Sequence, residues 1–180
     1  MQERECQTAL MTYVSPFNNP HTDHDSGRDP LCMSRANTAD IVETLAEFRL
    51  AAEAAIYNRA SLPAFFLARQ LAELSLKALY ETYRGTKSTK THSLTKLLDS
   101  LAACGDEMLD GDSERIHIVA FIRDLQLHDA GGDQGRYQEA TDGRPSLSTV
   151  CCADPELLAQ ELERLYLYVA RRIRSAPQAG

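Results

Sequence analysis

The residues best suited to chemistry lie in the segment RDLQLH, in which Arg123 is followed five positions later by His128. A guanidinium group matches the oxygens of a phosphate and stabilises negative charge that develops on them. An imidazole can accept or donate a proton near neutral pH. The pair is therefore suited to acid–base chemistry at a phosphate.

The spacing of the two residues limits how they can cooperate. A five-residue step turns an α-helix by about 140°, at about 100° per residue. Arg123 and His128 therefore converge within one chain only if the helix unwinds near Leu127. The residues after His128, DAGG, favour a turn, so we predict that the helix ends at the histidine.

A second group of candidate residues is cationic. Lys and Arg total 19 against 26 Asp and Glu, a net charge of -7, which excludes a chain that is basic throughout and binds nucleic acid nonspecifically. Any polyanion site must be local. The end of the second predicted helix and the loop after it are the most cationic region before the C-terminus, and Glu73 and Lys77 on that helix have the four-residue spacing of a surface ion pair. The candidate RNA- or nucleotide-binding residues are Arg84, Lys87, Lys90, Lys77 and Glu73, and the alternative is a solvated loop.

Several classes of protein are excluded by what the sequence lacks. It contains no Walker loop, GxGxxG, GxSxG or HExxH motif and no zinc-ribbon cysteine pairing, and it indicates no cofactor and no metal site. Its five cysteines are odd in number and indicate reduced thiols. No apolar run approaches the roughly 20 residues of a membrane span, and no signal peptide is evident at the start. We therefore expect a cytoplasmic protein with no membrane partner.

Apolar residues recur at three- and four-residue spacing in five segments, which predicts five helices. The short link between the first two helices predicts that they are antiparallel. In the fourth helix we expect Ile116, Val119, Ile122 and Leu125 to face the core, and Phe121 and Ile118 to widen this apolar face. The predicted fold is an all-α, antiparallel bundle of about five helices over residues 37–176, preceded by an irregular or partly disordered arm, residues 1–36. The first predicted helix is capped by Asn37 and Asp40 and runs to about Ala60, the second runs from Ser61 to Gly85, and the third runs from about Leu94 to Gly105. The fourth is capped by Asp112 or Ser113 and ends near His128, and the fifth runs from Asp154 to about Ile173.

The order of three segments carries a resemblance to a known family. LARQLAELSLKALYETY is followed by THSLTKLLDSL and then by RDLQLH, and this order resembles the HEPN superfamily of small all-helical domains from about Thr38 to Ile173. The resemblance implies a ribonuclease of the toxin or phage-defence type. It implies that Arg123 holds the scissile phosphate, that His128 acts as general acid or base while the RNA 2′-hydroxyl attacks phosphorus, and that Asp124 is the polar residue that often follows the arginine. It also implies a metal-independent site at a homodimer interface, an RNA substrate, and an antitoxin or other protein partner.

A second likeness competes for the same residues. HDAGGDQGRYQEATDGRPSL resembles HEPN-like proteins in which the fourth helix ends in an acidic turn and an arginine–tyrosine pair opens an extended loop. That likeness implies that Asp129, Arg136 and Tyr137 anchor the loop and that His128 only ends a helix. The alternative function is then a non-catalytic module that binds a nucleotide, RNA or a protein partner.

Overall fold

The structure is a computed structural model that describes residues 40–88, 90–104, 113–132, 139, 143, 147 and 152–176. Within these ranges the chain forms five α-helices, so the prediction of an all-α bundle of about five helices is confirmed. The predicted arm of residues 1–36 and the predicted domain boundary after it lie outside the described residues. The helices are α1 (Ile41–Tyr57), α2 (Ser61–Arg84), α3 (Leu94–Ala103), α4 (Ser113–His128) and α5 (Pro155–Ser175).

Helix α2 is the centre of the bundle because it packs against α1, α3 and α5. Helix α4 packs against α3 and α5. The core between the helices is almost entirely aliphatic, with side chains such as Leu45, Leu71, Leu97, Ile122 and Leu165 at 1 % exposure or less. Burial of such side chains stabilises a fold by about 1.5–3 kcal/mol each, and this burial holds the five helices together.

The residues that begin and end the helices can be compared with the predicted ones. Asp154 caps α5 as predicted, because its Oδ1 accepts from the backbone amides of Glu156 and Leu157. Gly85 ends α2 in the left-handed conformation, with φ +64°, as predicted. The N-cap of α1 is Asp40, one of the two predicted capping residues, whose side chain accepts from the amide of Val42, and Asn37 lies outside the described residues. Helix α2 has no side-chain cap.

One residue of α4 that was predicted to lie in the core, Ile116, lies on the surface instead. Val119, Ile122 and Leu125 are buried as predicted, together with Ile118. Ile116 is 62 % exposed, because α4 turns its other side toward α3 and α5. The predicted apolar face is therefore correct for the rest of α4 and wrong only at Ile116, in its first turn.

Candidate functional site

A buried cluster of charged side chains lies where α2, the α2–α3 loop and the end of α4 meet. Its centre is Arg69 of α2, which is 0 % exposed. The Nε of Arg69 donates to the carbonyl oxygen of Asp129 at 3.4 Å, Nη1 donates to Oε2 of Glu73 at 3.4 Å, and Nη2 donates to the carbonyl oxygen of His92. One guanidinium therefore joins three segments that are distant in the sequence. We call Arg69, Glu73, Lys77, His92 and Asp129 the Arg69 cluster.

The carboxylate of Glu73 contacts two further side chains of the Arg69 cluster, those of Lys77 and His92. Lys77 Nζ lies 2.6 Å from Glu73 Oε1, and His92 Nδ1 lies 3.0 Å from the same oxygen. The predicted pairing of Glu73 with Lys77 is thus confirmed, but its predicted place on the surface is wrong, because Glu73 is 4 % exposed. Burial acts to raise the pKa of the Glu73 carboxyl, while the hydrogen bond and charge of Lys77, followed by those of His92, outweigh it and hold the pKa below its ordinary value.

Replacing Glu73 by glutamine should lower the free energy of unfolding at pH 7 by about 1–3 kcal/mol, the size of a hydrogen bond to a charged group. The pKa of Glu73 is lower in the folded chain than the value of about 4.3 expected when unfolded. Its stabilisation is therefore complete above that value and is lost as the pH falls through the folded pKa. Urea unfolding of both proteins between pH 7 and pH 3 should show the difference shrinking on acidification. A difference that stays constant over this range would contradict the assignment.

The loop after α4 begins inside the Arg69 cluster. The carboxylate of Asp129 is buried, and its Oδ1 accepts from the backbone amide of Gly132 at 2.6 Å. Gly132 has φ +77°, and a Cβ at this position would lie 3.4 Å from the Cβ of His92. Glycine therefore lets the chain turn closely over the cluster. Asp129 ties the start of the loop to the bundle, whereas Arg136 and Tyr137, the other two predicted loop anchors, lie outside the described residues.

The predicted binding residues fall into two groups. Glu73 and Lys77 belong to the Arg69 cluster, where each already holds an opposite charge. Arg84, Lys87 and Lys90 are exposed at the end of α2 and in the loop after it, and none forms an ion pair with a described residue. Only this second group presents uncompensated positive charge to solvent.

The structure leaves the predicted catalytic pair on one unbroken helix. α4 runs through to His128, so Arg123 and His128 lie about 140° apart around its axis and about 7.5 Å apart along it. Arg123 is exposed and forms no ion pair with a described residue. The side chain of His128 is partly buried, and its Nε2 lies 3.4 Å from Oδ1 of Asp124. The helix does not unwind near Leu127, so the arginine and histidine of one chain do not converge.

Arg123 lies in the middle of an exposed apolar stripe on α4. The stripe consists of Ile116, Ala120, Arg123 and Leu127, whose spacing of four, three and four residues places them on one face. Ile116 and Leu127 are 62 % and 75 % exposed. One exposed aliphatic side chain therefore lies on each side of the arginine, and arginine and apolar side chains occur together at protein interfaces. We call these four residues the α4 stripe.

Comparison with known families identifies the fold. A family model described as the HEPN domain matches residues 42–150. The chain belongs to the HEPN family. The match begins within α1 and covers α2, α3, α4 and the loop after α4, so the Arg69 cluster and the α4 stripe both belong to the HEPN domain proper. Searches of curated proteins and of solved structures returned no match.

The described residues were also compared with the requirements of a metal site and of a membrane-spanning helix. In the part of the chain that the structure describes, no three histidine, cysteine or acidic side chains are grouped in a way that could hold a metal ion. No helix within the same residues is long and apolar enough to cross a membrane.

Arg69 is the residue that sequence reasoning missed. It stands in LARQLAEL, among residues that form the apolar face of α2. The signal was present, because Arg69, Glu73 and Lys77 recur at intervals of four and form a ladder of alternating charge along one line of the helix. That line lies next to the core face, and an arginine there must find acceptors among the segments packed against it.

Proposed function

We propose that this HEPN domain is a metal-independent endoribonuclease whose active site is assembled from the α4 helices of two chains. The observation that carries the proposal is the position of Arg123, an exposed guanidinium with no described ion pair in the middle of the α4 stripe. Burial of this stripe against a second copy removes Ile116 and Leu127 from water and brings two copies of Arg123 to one interface, with His128 directly after Leu127 at the end of each helix.

The geometry of α4 favours a site shared between chains over a site within one chain. Arg123 and His128 diverge on the helix, but across a twofold axis the arginine of one chain can approach the histidine of the other. Asp124 lies on the same helix, with its Oδ1 3.4 Å from Nε2 of His128, and can orient the ring.

The proposed reaction uses these groups for phosphoryl transfer within the RNA. His128 takes the proton of a ribose 2′-hydroxyl, and the 2′-oxygen attacks the adjacent phosphorus while Arg123 neutralises the phosphate oxygens. The bond from phosphorus to the 5′-oxygen breaks, and that oxygen takes up a proton. The products are a 2′,3′-cyclic phosphate on one fragment and a 5′-hydroxyl on the other.

Purified protein should cleave a mixed pool of tRNA and mRNA in the presence of EDTA and should leave 2′,3′-cyclic phosphate and 5′-hydroxyl ends. A chain that carries both Arg123→Ala and His128→Ala should lose at least about 100-fold in rate. Arg174→Ala, which removes one exposed arginine from the end of α5, is the matched control and should keep most of the activity. Ends of another kind, or equal cleavage by the double variant, would refute the proposal.

A second candidate function rests on the loop after α2. Arg84, Lys87 and Lys90 place three exposed cations within seven residues of a chain whose net charge is -7. Such a local patch can bind the phosphates of a nucleotide or RNA without any cleavage. Filter binding should then show salt-sensitive RNA retention that the triple change to glutamine abolishes, while no RNA is cut by the unchanged protein.

A further inference from the structure

A cavity of about 300 Å³ lies between the α1–α2 turn and the start of α5. Its walls are aliphatic and aromatic, and its described lining residues include none from α4. This volume is at the lower end of the range for small-molecule sites. The principal apolar side chains in the wall are Ile56, Leu62, Phe65, Leu147 and Leu158.

The polar side chains among the described lining residues of the cavity are all neutral or positive. Arg59, Ser61 and Cys152 line it, and none of its described lining residues is acidic. Arg59 is exposed and forms no ion pair with a described residue. Asp154 lies between the lining residues Ala153 and Pro155, but its Oδ1 accepts from two backbone amides at the start of α5.

The backbone fixes Arg59 in its place beside the cavity. Arg59 has φ +56°, a left-handed conformation that non-glycine residues rarely adopt. Its amide donates to the carbonyl of Ile56 at 3.0 Å, and the amide of Ala60 donates to the carbonyl of Ala55 at 2.9 Å. These hydrogen bonds close the turn and hold the backbone of Arg59 at the edge of the cavity.

The start of α2 adds to the positive character of the same cavity. Ala60 precedes the helix and provides no side-chain cap, and the first turn contains no acidic residue. The first amides of a helix carry the positive end of its dipole and favour a negative group. An apolar chamber that meets an arginine and a positive helix end fits a ligand with an apolar body and an anionic head.

We propose that this cavity binds a small aliphatic carboxylate, with its hydrocarbon chain between Ile56, Phe65 and Leu158 and its carboxylate on Arg59. The site is separate from the proposed nuclease site and does not depend on it. Apolar contact supplies affinity, and the guanidinium selects an anion over a cation of the same length.

Isothermal titration of the full chain with octanoate and with octylammonium tests the proposal. Octanoate should saturate one site per protein chain. Octylammonium, with the same number of carbon atoms and the opposite charge, should bind at least about tenfold more weakly. Arg59→Asn should weaken octanoate binding by about tenfold, since asparagine tolerates a left-handed backbone and removes only the cation. Arg84→Asn, which removes a cation at the far end of α2, is the matched control and should leave octanoate binding unchanged.

A second variant tests the location of the hydrocarbon chain. Ala55→Leu adds three carbon atoms to the wall of the cavity and should reduce octanoate binding at least about tenfold, while the unfolding temperature shows that the chain remains folded. Equal binding of octanoate and octylammonium, or octanoate binding that neither Arg59→Asn nor Ala55→Leu reduces, would overturn the proposal. The absence of any saturable octanoate binding to the unchanged chain would overturn it as well.

Discussion

Replacing Arg69 by methionine should lower the free energy of unfolding by about 3–5 kcal/mol, the cost of removing one partner from a buried ionic cluster. Methionine can fill most of the volume but donates no hydrogen bond. The carbonyl oxygens of Asp129 and His92 lose the guanidinium, and Glu73 loses one of its cations. Since whole domains are stable by about 5–15 kcal/mol, this single change would remove a large part of the total. Urea unfolding followed by circular dichroism measures it.

Two further variants separate the causes of that loss. Arg84→Met removes an exposed arginine from the same helix and should change the stability by less than about 0.5 kcal/mol. Arg69→Lys keeps the charge but loses the planar fork of donors, so it should recover only part of the stability. If Arg69→Met cost under about 1 kcal/mol, the cluster would contribute far less to the fold than its burial indicates.

A heterodimer of two inactive chains should regain nuclease activity if the site is shared. One chain carries Arg123→Ala and the other His128→Ala, and each homodimer should be at least about 100-fold slower than the unchanged protein. In the heterodimer the intact arginine of one chain faces the intact histidine of the other at one of the two sites. Purification through two different affinity tags should give a dimer with about half of the unchanged activity, as twofold symmetry requires.

The reciprocal heterodimer provides the control. When both substitutions are in one chain and its partner is unchanged, a shared site is broken at both positions and the dimer should be inactive. A site within one chain gives the opposite pair of results, with activity in this dimer and none in the first. A protein that cleaves RNA as a strict monomer would also contradict the shared site.

The helices and their order were predictable from the sequence because they depend on local signals. Apolar periodicity marks α2 and α5, Asp154 supplies a side-chain oxygen just before Pro155, and Gly85 supplies a residue that tolerates a left-handed backbone. Each of these signals acts within a few residues. The family resemblance, which rests on the order of the segments, was confirmed for the same reason.

The errors arose where distant segments decide the environment of a residue. Ile116 fits the apolar pattern of α4, yet the orientation of α4 against α3 and α5 leaves it exposed. Glu73 and Lys77 have the spacing of a surface pair, yet His92 and Arg69 close over Glu73 and bury it. A spacing of four residues describes neighbours on one helix and carries no information about what packs above them.

The sequence by itself determined the five helices, most of their ends and the HEPN fold, because hydrogen bonds and caps within a helix involve residues that are close in the chain. Only the tertiary structure decided that Arg69 joins α2 to the ends of two other segments, that α4 stays unbroken between Arg123 and His128, and that Arg59 lines an apolar cavity. Those features depend on which segments meet, and that outcome is set by the packing of the whole bundle.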